Sequence, residues 1–226
     1  MKIGILGYGK MGREIETAAI EQGHTIGLKI NSTNTHLLTR KNIVNIDVAI
    51  EFSNPQSAFH NIAFCINNDI PVVSGTTGWL DDLPKAKQLC IKKNSAFLYS
   101  ENFGLGVNIF LKTIEYMAKI MKGKDYHINI AERHHTTKKD SPSGTAILIK
   151  DKISAEIKNH PIKIKSHRVG DIKGEHIVTY SSAIDCIELS HTAHNRIGFA
   201  KGSILAAEFI KNKTGVFSME DVINTK

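Results

Sequence analysis

Residues 2–12 read Lys2-Ile-Gly-Ile-Leu-Gly-Tyr-Gly-Lys-Met-Gly12 and set the architecture of the first half of the chain. The run Lys2–Leu6 predicts a buried β-strand, and the periodicity of Lys10–Gln22 predicts a helix. Glycines in the turn between them let the backbone approach a pyrophosphate, which the free N–H groups at the helix start attract. The stretch therefore predicts a dinucleotide site, with an ordinary tight strand–helix turn as the alternative.

Apolar runs and helical patterns continue to alternate through the first hundred residues. The expected elements are the strands Thr25–Ile30, Asp47–Phe52, Pro71–Ser74 and Ala96–Tyr99 and the helices Pro55–Asn67 and Leu80–Lys93. Parallel strands need a crossover helix between them, and burial on both faces makes them almost continuously apolar. The predicted fold class is therefore α/β, with a Rossmann-like, doubly wound parallel sheet.

The pattern changes after a predicted helix at Val107–Met121. Alternating polar and apolar residues then predict half-exposed strands at Tyr126–Ala131, Glu175–Tyr180 and Ile184–Thr192, with a helix at Thr145–Ile157 between them. These elements predict a second, α+β domain with an open mixed sheet, whose exposed face a second copy of the chain is expected to cover.

The chain is expected to return to the first domain at its C-terminal end. A helix at Ala200–Lys211 and an extended tail at Gly215–Val222 are predicted there. We assign residues 1–105 and 199–226 to a dinucleotide-binding domain, and residues 106–198 to a substrate-binding and oligomerisation domain.

Composition narrows the class of protein. The chain has 29 Lys and Arg against 22 Asp and Glu, a net charge of +7 that favours anionic partners. The basic residues are scattered, so nucleic-acid binding is not expected. Three cysteines without a Cys-x-x-Cys pair fit a reducing compartment, and no stretch approaches the ~20 apolar residues of a membrane span. We therefore expect a cytoplasmic protein with no membrane association.

Two further loops follow predicted strands at their carboxyl ends, where open α/β sheets bind ligands. They are Gly75–Gly78 and Ser100–Gly106, and ordinary turn chemistry is the alternative explanation for each. After the second strand, Asn31 stands where an acid normally holds the adenosine ribose. Without that acid, Lys10 or Lys29 is able to pair with a 2′-phosphate, so both NADPH and NADH are allowed.

The segment Glu132–Ala146 carries the densest chemistry. Adjacent His134 and His135 at a strand end point to opposite faces, so at most one of them is a core residue. The helix entry Ser141-Pro-Ser-Gly-Thr145 offers Ser or Thr hydroxyls and unpaired N–H groups that suit a carboxylate. Lys138 adds positive charge, and imidazole exchanges protons near neutral pH. The segment predicts a proton donor beside an anion site.

A metal site is the other possible interpretation of this segment. Glu132 with the two histidines suggests zinc, but no third ligand stands at a recognisable spacing. We therefore predict no metal, and we leave His127, His191 and His194 unassigned.

These motifs together resemble the dihydrodipicolinate reductase family over the whole chain. In order, the resembling segments are Gly7–Gly12, Glu51–Pro55, Gly75–Gly78, Glu101–Asn108, Glu132–Ala146 and Gly215–Val222. The resemblance implies NAD(P)H-dependent reduction of a cyclic dicarboxylate, 4-hydroxy-tetrahydrodipicolinate, to tetrahydrodipicolinate in lysine and diaminopimelate biosynthesis. It also implies a homotetramer formed through the sheet of the second domain.

The resemblance also implies roles for individual residues. His134 matches the residue that exchanges a proton, and Lys138 matches the second proton donor. The substrate is expected to bind at His135, Ser143, Gly144 and Thr145. The cofactor is expected to bind at Gly7, Tyr8, Gly9, Lys10, Met11, Gly12, Asn31, Gly75, Thr76, Thr77, Ser100, Glu101, Asn102 and Phe103.

Departures from the family pattern affect affinity more than chemistry. The Gly-rich loop is one residue shorter than in many members and has Lys10 in place of the usual Arg, which leaves the cofactor preference open. Gly104 replaces a common Ser, and a loop near Arg168–Gly174 is trimmed.

Two other functions are the alternatives to this reductase activity. An aspartate-type amino-acid dehydrogenase would show ammonia-dependent NADH oxidation. A non-catalytic NAD(P)-sensing regulator would need a DNA-reading helix, which is not evident in the sequence.

Overall fold

The computed structural model describes residues 1–195 and 197–225. It divides into two compact units, unit 1 (Met1–Leu105 with Ile197–Lys226) and unit 2 (Gly106–Arg196). The strands of the described residues are β1 (Lys2–Leu6), β2 (Thr25–Ile30), β3 (Val48–Glu51), β4 (Val72–Ser74), β5 (Ala96–Tyr99), β6 (His127–His134), β7 (Lys163–Arg168), β8 (Glu175–Ser181), β9 (Cys186–Thr192) and β10 (Gly215–Phe217).

The α-helices of the same residues are α1 (Lys10–Glu21), α2 (Arg40–Ile43), α3 (Pro55–Asn67), α4 (Leu83–Lys92), α5 (Leu105–Met121), α6 (Gly144–Glu156), α7 (Ile197–Ile210) and α8 (Met219–Ile223). Two short 3₁₀ helices lie at Thr35–Leu37 and Leu80–Asp82. None of the helices in the described part of the chain combines the length and the apolarity needed to cross a bilayer.

Unit 1 is a doubly wound parallel sheet, which confirms the predicted Rossmann-like fold. Its six strands have the order β10-β5-β4-β3-β1-β2, and every neighbouring pair is parallel. Side chains of β3 are buried on both faces, as the continuous apolar sequence requires. One face packs against α1 and α7, and the other packs against α3 and α4. The carboxyl ends of the strands therefore share one edge.

Unit 2 is an α+β structure with a mixed sheet in the order β7-β6-β8-β9. Strand β6 is parallel to β7 and antiparallel to β8. Every second residue of β8 is buried, and these side chains share an apolar cluster with α5 and α6. Residues of the other sheet face are partly exposed, which agrees with the predicted alternation.

Two sequence predictions were wrong in detail. Residues 163–168 form strand β7, which was not predicted because Lys-Ile-Lys-Ser-His-Arg contains a single apolar residue; its pairing with β6 holds it in place. The tail predicted as extended from Gly215 to Val222 is a strand followed by helix α8. The side chain of Asp221 accepts hydrogen bonds from the N–H and the hydroxyl of Ser218, forming a capping box that starts this helix.

A close backbone contact in unit 1 gives a test of this packing. A Cβ added at Gly202 of α7 would lie 1.7 Å from the carbonyl oxygen of Phe103. We expect Gly202→Ala to destabilise unit 1 by about 1–3 kcal/mol, because backbone must shift. Gly198→Ala is the matched control, since no atom lies within 4 Å of that Cβ and alanine favours the helix. Chemical denaturation of both variants checks this, and equal unfolding midpoints would contradict the packing.

Candidate functional site

The turn after β1 lies against the end of β3, where the strand order changes direction. Gly7 has a φ of +101°, and a Cβ there would lie 1.9 Å from the carbonyl oxygen of Phe52. A Cβ at Gly12 would lie 2.6 Å from the carbonyl oxygen of Gly7. Only glycine allows this approach between turn, strand and helix. Ligands of open α/β sheets bind at such a switch point.

A cavity of about 410 Å³ opens at this edge of unit 1. Its lining residues are Gly9, Lys10, Met11, Phe52, Ser53, Pro55, Gly75, Thr76 and Thr77. No side chain caps the start of α1, and the space in front of Gly9 is open. The N–H groups of the first turn are therefore available to an anion, so these residues fit the pyrophosphate of a nicotinamide dinucleotide.

A buried carboxylate that the sequence analysis did not single out holds these loops together. Glu51, at the end of β3, is fully buried. It accepts hydrogen bonds from the hydroxyl of Ser74 at 2.7 Å and from the hydroxyl of Thr76 at 3.0 Å. It also accepts from the N–H of Ser53 at 3.0 Å and from the Ser53 hydroxyl. The side chain of Thr76 is thus a structural link between loops, and the cavity wall at Phe52–Pro55 depends on the same carboxylate.

The loop after β5 carries four predicted cofactor residues, Ser100, Glu101, Asn102 and Phe103, which lie outside the lining of this cavity. Ser100 and Asn102 hydrogen-bond to each other, Oδ1 of Asn102 accepts from the N–H of Gly104, and Glu101 is exposed. Phe103 is only 1% exposed and packs on Phe52 with ring centroids 5.5 Å apart. None of the four lines the cavity. Phe103 therefore supports the cavity wall as a core residue, and its side chain does not reach the open space.

The residues predicted near the adenosine ribose have partners of their own. Oδ1 of Asn31 accepts from the N–H and the hydroxyl of Thr33, so this oxygen closes a turn. Lys29 makes an ion pair with Glu16 at 3.1 Å and lies over the ring of Tyr8, whose hydroxyl also bonds to Glu16. Lys10 is exposed and makes no ion pair within the described chain. Of the two lysines considered for a 2′-phosphate, Lys10 is the one without a competing carboxylate.

In unit 2, strand β6 ends at the predicted proton donor. His134 is 6% exposed, and the ring of His176 on β8 packs against it with centroids 5.1 Å apart. The Nζ atom of Lys138 lies 2.8 Å from Oδ1 of Asp140. His135 is less buried than His134, and its Nδ1 is 2.7 Å from the hydroxyl of Thr137. The two neighbouring histidines therefore have different surroundings, as their opposite faces predict.

The predicted carboxylate site lies at the start of α6. Ser143 is the N-cap, and its hydroxyl accepts from the N–H of Ala146 at 3.2 Å. The N–H groups of Gly144 and Thr145 make no hydrogen bond to other described residues. A Cβ added at Gly144 would meet no atom within 4 Å. Two backbone donors and the positive end of the helix dipole are thus available to a carboxylate.

Two residues beside this candidate site, His176 and Arg168, were given no role by the sequence analysis. Glu132, His134 and His176 each place one possible ligand atom, a carboxylate oxygen or a ring nitrogen, within 4.8 Å of those of the other two. His176 is the third ligand that the zinc hypothesis lacked, and its position 44 residues from Glu132 left no spacing signal. The guanidinium of Arg168, 3.3 Å from Glu132, already balances the carboxylate charge, which disfavours a divalent cation.

Burial and neighbouring charge determine the protonation of this group. Burial lowers the pKa of His134; Lys138 and Arg168 lower it further, and Glu132 opposes them. Burial also lowers the pKa of His176, to about 4. Burial by itself would raise the pKa of Glu132, but hydrogen bonds from Ser143 and Ser166 bring it below its ordinary value. An ionised carboxylate therefore lies next to two neutral imidazoles.

Both units match models of one protein family. Residues 1–103 match the dihydrodipicolinate reductase N-terminus, and residues 106–223 match the dihydrodipicolinate reductase C-terminus. A 4-hydroxy-tetrahydrodipicolinate reductase from Christiangramia forsetii is 46% identical, covering 99% of this chain and 98% of the relative. One from Thermosipho africanus is 35% identical, with 99% and 98% covered.

Solved structures share the fold at lower identity. A dipicolinate-bound dihydrodipicolinate reductase from Paenisporosarcina sp. TG-14 superposes with a TM-score of 0.85 at 19% identity, covering 96% of this chain and 97% of that one. A probable dehydrogenase from Thermotoga maritima gives a TM-score of 0.63 at 11% identity, covering 98% and 92%.

The burial of His176 predicts a pH-dependent stability. Its unfolded-state pKa is 6.5 and its folded-state pKa is about 4, so between these values the unfolded chain binds the extra proton. Stability therefore falls as the pH drops through this range, and we expect a loss of about 2 kcal/mol between pH 7 and pH 5 from this group. Chemical denaturation at both pH values measures it. The free energy of unfolding of His176→Gln should fall by correspondingly less between the two pH values. The same pH dependence in this variant as in wild type would contradict the prediction.

Proposed function

We propose that this chain, which belongs to the dihydrodipicolinate reductase family, reduces 4-hydroxy-tetrahydrodipicolinate to tetrahydrodipicolinate with NAD(P)H. The observation that carries the proposal is the arrangement in unit 2. A buried imidazole at the end of β6 and the lysine four residues later belong to the segment that leads into α6, where the N–H groups of Gly144 and Thr145 make no hydrogen bond to other described residues. This arrangement supplies protons and binds an acid in one place.

The cavity of unit 1 is the proposed cofactor site. The first-turn N–H groups of α1 would hold the pyrophosphate, and Gly75–Thr77 would border it. When bound, the nicotinamide supplies a hydride. Lys10, which is free of carboxylate partners in the described chain, would favour a 2′-phosphate and hence NADPH, although NADH remains compatible with the site.

The start of α6 is the proposed substrate site. The N–H groups of Gly144 and Thr145 would donate to one substrate carboxylate, with His135 and Lys138 contributing further donors. Ser143 would act by fixing the helix start, since its own hydroxyl already accepts from Ala146. Charge-assisted hydrogen bonds of this kind give both affinity and orientation.

The proposed chemistry needs one proton besides the hydride. Loss of the 4-hydroxyl as water gives a conjugated imine, hydride adds at C4, and a proton adds at C3 to complete tetrahydrodipicolinate. His134 and Lys138 would deliver that proton. The lowered pKa of His134 makes its protonated form a stronger acid, and Nζ of Lys138 is the second proposed donor.

Two further properties are proposed with the activity. The partly exposed face of the unit 2 sheet would be covered by other copies in a homotetramer. The activity is that of a biosynthetic enzyme in the cytoplasm, with a small cyclic dicarboxylate as partner and neither nucleic acid nor membrane.

A coupled assay tests the function and the role of His134 together. Synthase product is offered with NADH and NADPH in turn, and substrate-dependent oxidation of at least one is expected. His134→Gln should lower kcat by about 10²–10⁴ while cofactor affinity is kept, because one proton donor is lost. His127→Gln, an exposed histidine on the same strand, should behave as wild type. An equal loss of turnover and cofactor affinity in His134→Gln would argue against this role.

Lys138 is expected to serve both turnover and binding. Lys138→Ala removes a proton donor and a positive charge, so kcat should fall and KM should rise. Steady-state kinetics measure both, with the neighbouring exposed Lys139→Ala as the matched control that keeps wild-type values. A KM unchanged in Lys138→Ala would place the anion site elsewhere.

A further inference from the structure

Glu132 is a buried carboxylate on the strand that carries the proton donor. It stands two residues before His134 on β6, so both side chains lie on the same face of the sheet. The side chain of Glu132 has no exposed surface. A charge buried this completely is retained only when hydrogen bonds and opposite charges surround it.

The first of these partners is the start of α6. Both carboxylate oxygens of Glu132 lie 3.1 Å from the backbone nitrogen of Ser143, which donates to them. The Ser143 hydroxyl in turn lies 3.2 Å from Nε2 of His176. Glu132 therefore fixes the N-cap residue, and the N–H groups of Gly144 and Thr145 that follow it are held in a defined direction.

The second partner is Arg168 on β7. Its Nη1 and Nη2 atoms lie 3.4 and 3.3 Å from Oε1 of Glu132. The same guanidinium donates to the carbonyl oxygens of Lys138 and Asp140. Through Arg168, the carboxylate thus also holds the loop that carries the second proton donor.

The third partner is the imidazole itself. Nδ1 of His134 lies 3.4 Å from Oε2 of Glu132, and among the described residues it makes no hydrogen bond. A carboxylate at this distance favours a proton on Nδ1, which leaves Nε2 as the atom that exchanges a proton with a ligand. The charge also stabilises the imidazolium form.

We infer that Glu132 is a positioning residue that couples the proton-exchanging imidazole of His134 to the carboxylate-binding start of α6. One side chain contacts both, so it sets the orientation of the acid relative to the bound substrate. This inference rests on the proposed function for the identity of the ligand, but its contacts lie entirely within unit 2.

Glu132→Gln tests the coupling, because it keeps the shape and removes the charge. The amide cannot accept the Ser143 N–H with both of its terminal atoms. Dipicolinate, the dicarboxylate bound in the related structure, serves as the probe for calorimetry. We expect its affinity to fall about 10- to 100-fold and kcat to fall as well, by analogy with other positioning residues, while cofactor affinity stays at the wild-type value.

Nuclear magnetic resonance of ¹⁵N-histidine-labelled protein gives a readout that a merely structural role would not move. In wild type, His134 should carry its proton on Nδ1, with the resonance assigned through His134→Gln. Glu132→Gln should shift this tautomer toward Nε2–H and lower the kinetic pKa of the imidazole. That pKa also reflects the other groups around it, Lys138, Asp140, Arg168 and His176. These are unchanged in the variant.

Glu175→Gln is the matched control, because it removes a glutamate of the same sheet whose partner, Arg133 at 2.8 Å, is exposed. It should leave dipicolinate affinity and the His134 tautomer unchanged. If Glu132→Gln does not fold, Glu132→Asp replaces it, since a carboxylate withdrawn by roughly 1.5 Å should weaken both contacts.

Wild-type affinity and an unchanged tautomer in a folded Glu132 variant would overturn the inference. A wild-type protein without reductase activity would overturn the proposed function instead, because the tautomer and its dependence on Glu132 are measured without turnover.

Discussion

Parallel pairing of β1 with β2 on one side and with β3 on the other is the constraint on which unit 1 depends. It places every strand end at one edge and leaves a gap where the chain reverses its direction along the sheet. The turn at Gly7 occupies this gap. A side chain does not fit at Gly7, because a Cβ there would lie 1.9 Å from the carbonyl oxygen of Phe52. The uncapped start of α1, the proposed pyrophosphate site, follows directly after this turn.

The two units share a structural feature, a buried carboxylate that accepts hydrogen bonds from the surrounding segments. Each candidate site has a buried carboxylate at or near the end of a strand, Glu51 in unit 1 and Glu132 in unit 2. Glu51 accepts from the neutral hydroxyls of Ser74, at the end of β4, and of Thr76, whereas a guanidinium and imidazoles lie beside Glu132. Loops that bind ligands have few apolar contacts of their own, so charge-assisted hydrogen bonds to a rigid strand hold them in place.

The differences between sequence prediction and structure have local causes. Strand β7 was missed because it is an edge strand held by pairing with β6, and no periodicity in Lys163–Arg168 indicates that pairing. The side chain of Phe103, a predicted cofactor residue, is buried in the core, where it packs against Phe52 and anchors the loop after β5. Helix α8 was missed although Ser218 and Asp221 form a recognisable capping box.

The sequence alone determined the doubly wound class, the Gly-rich turn, and the segment with His134, Lys138 and the α6 start, because each depends on residues that are near neighbours along the chain. Only the tertiary structure brought Arg168 and His176 to Glu132, and Ser74 and Thr76 to Glu51. The reason is physical. Periodicity reports which face of an element is buried, but the partner of a buried polar group is chosen by strand order and register, which distant parts of the chain set together.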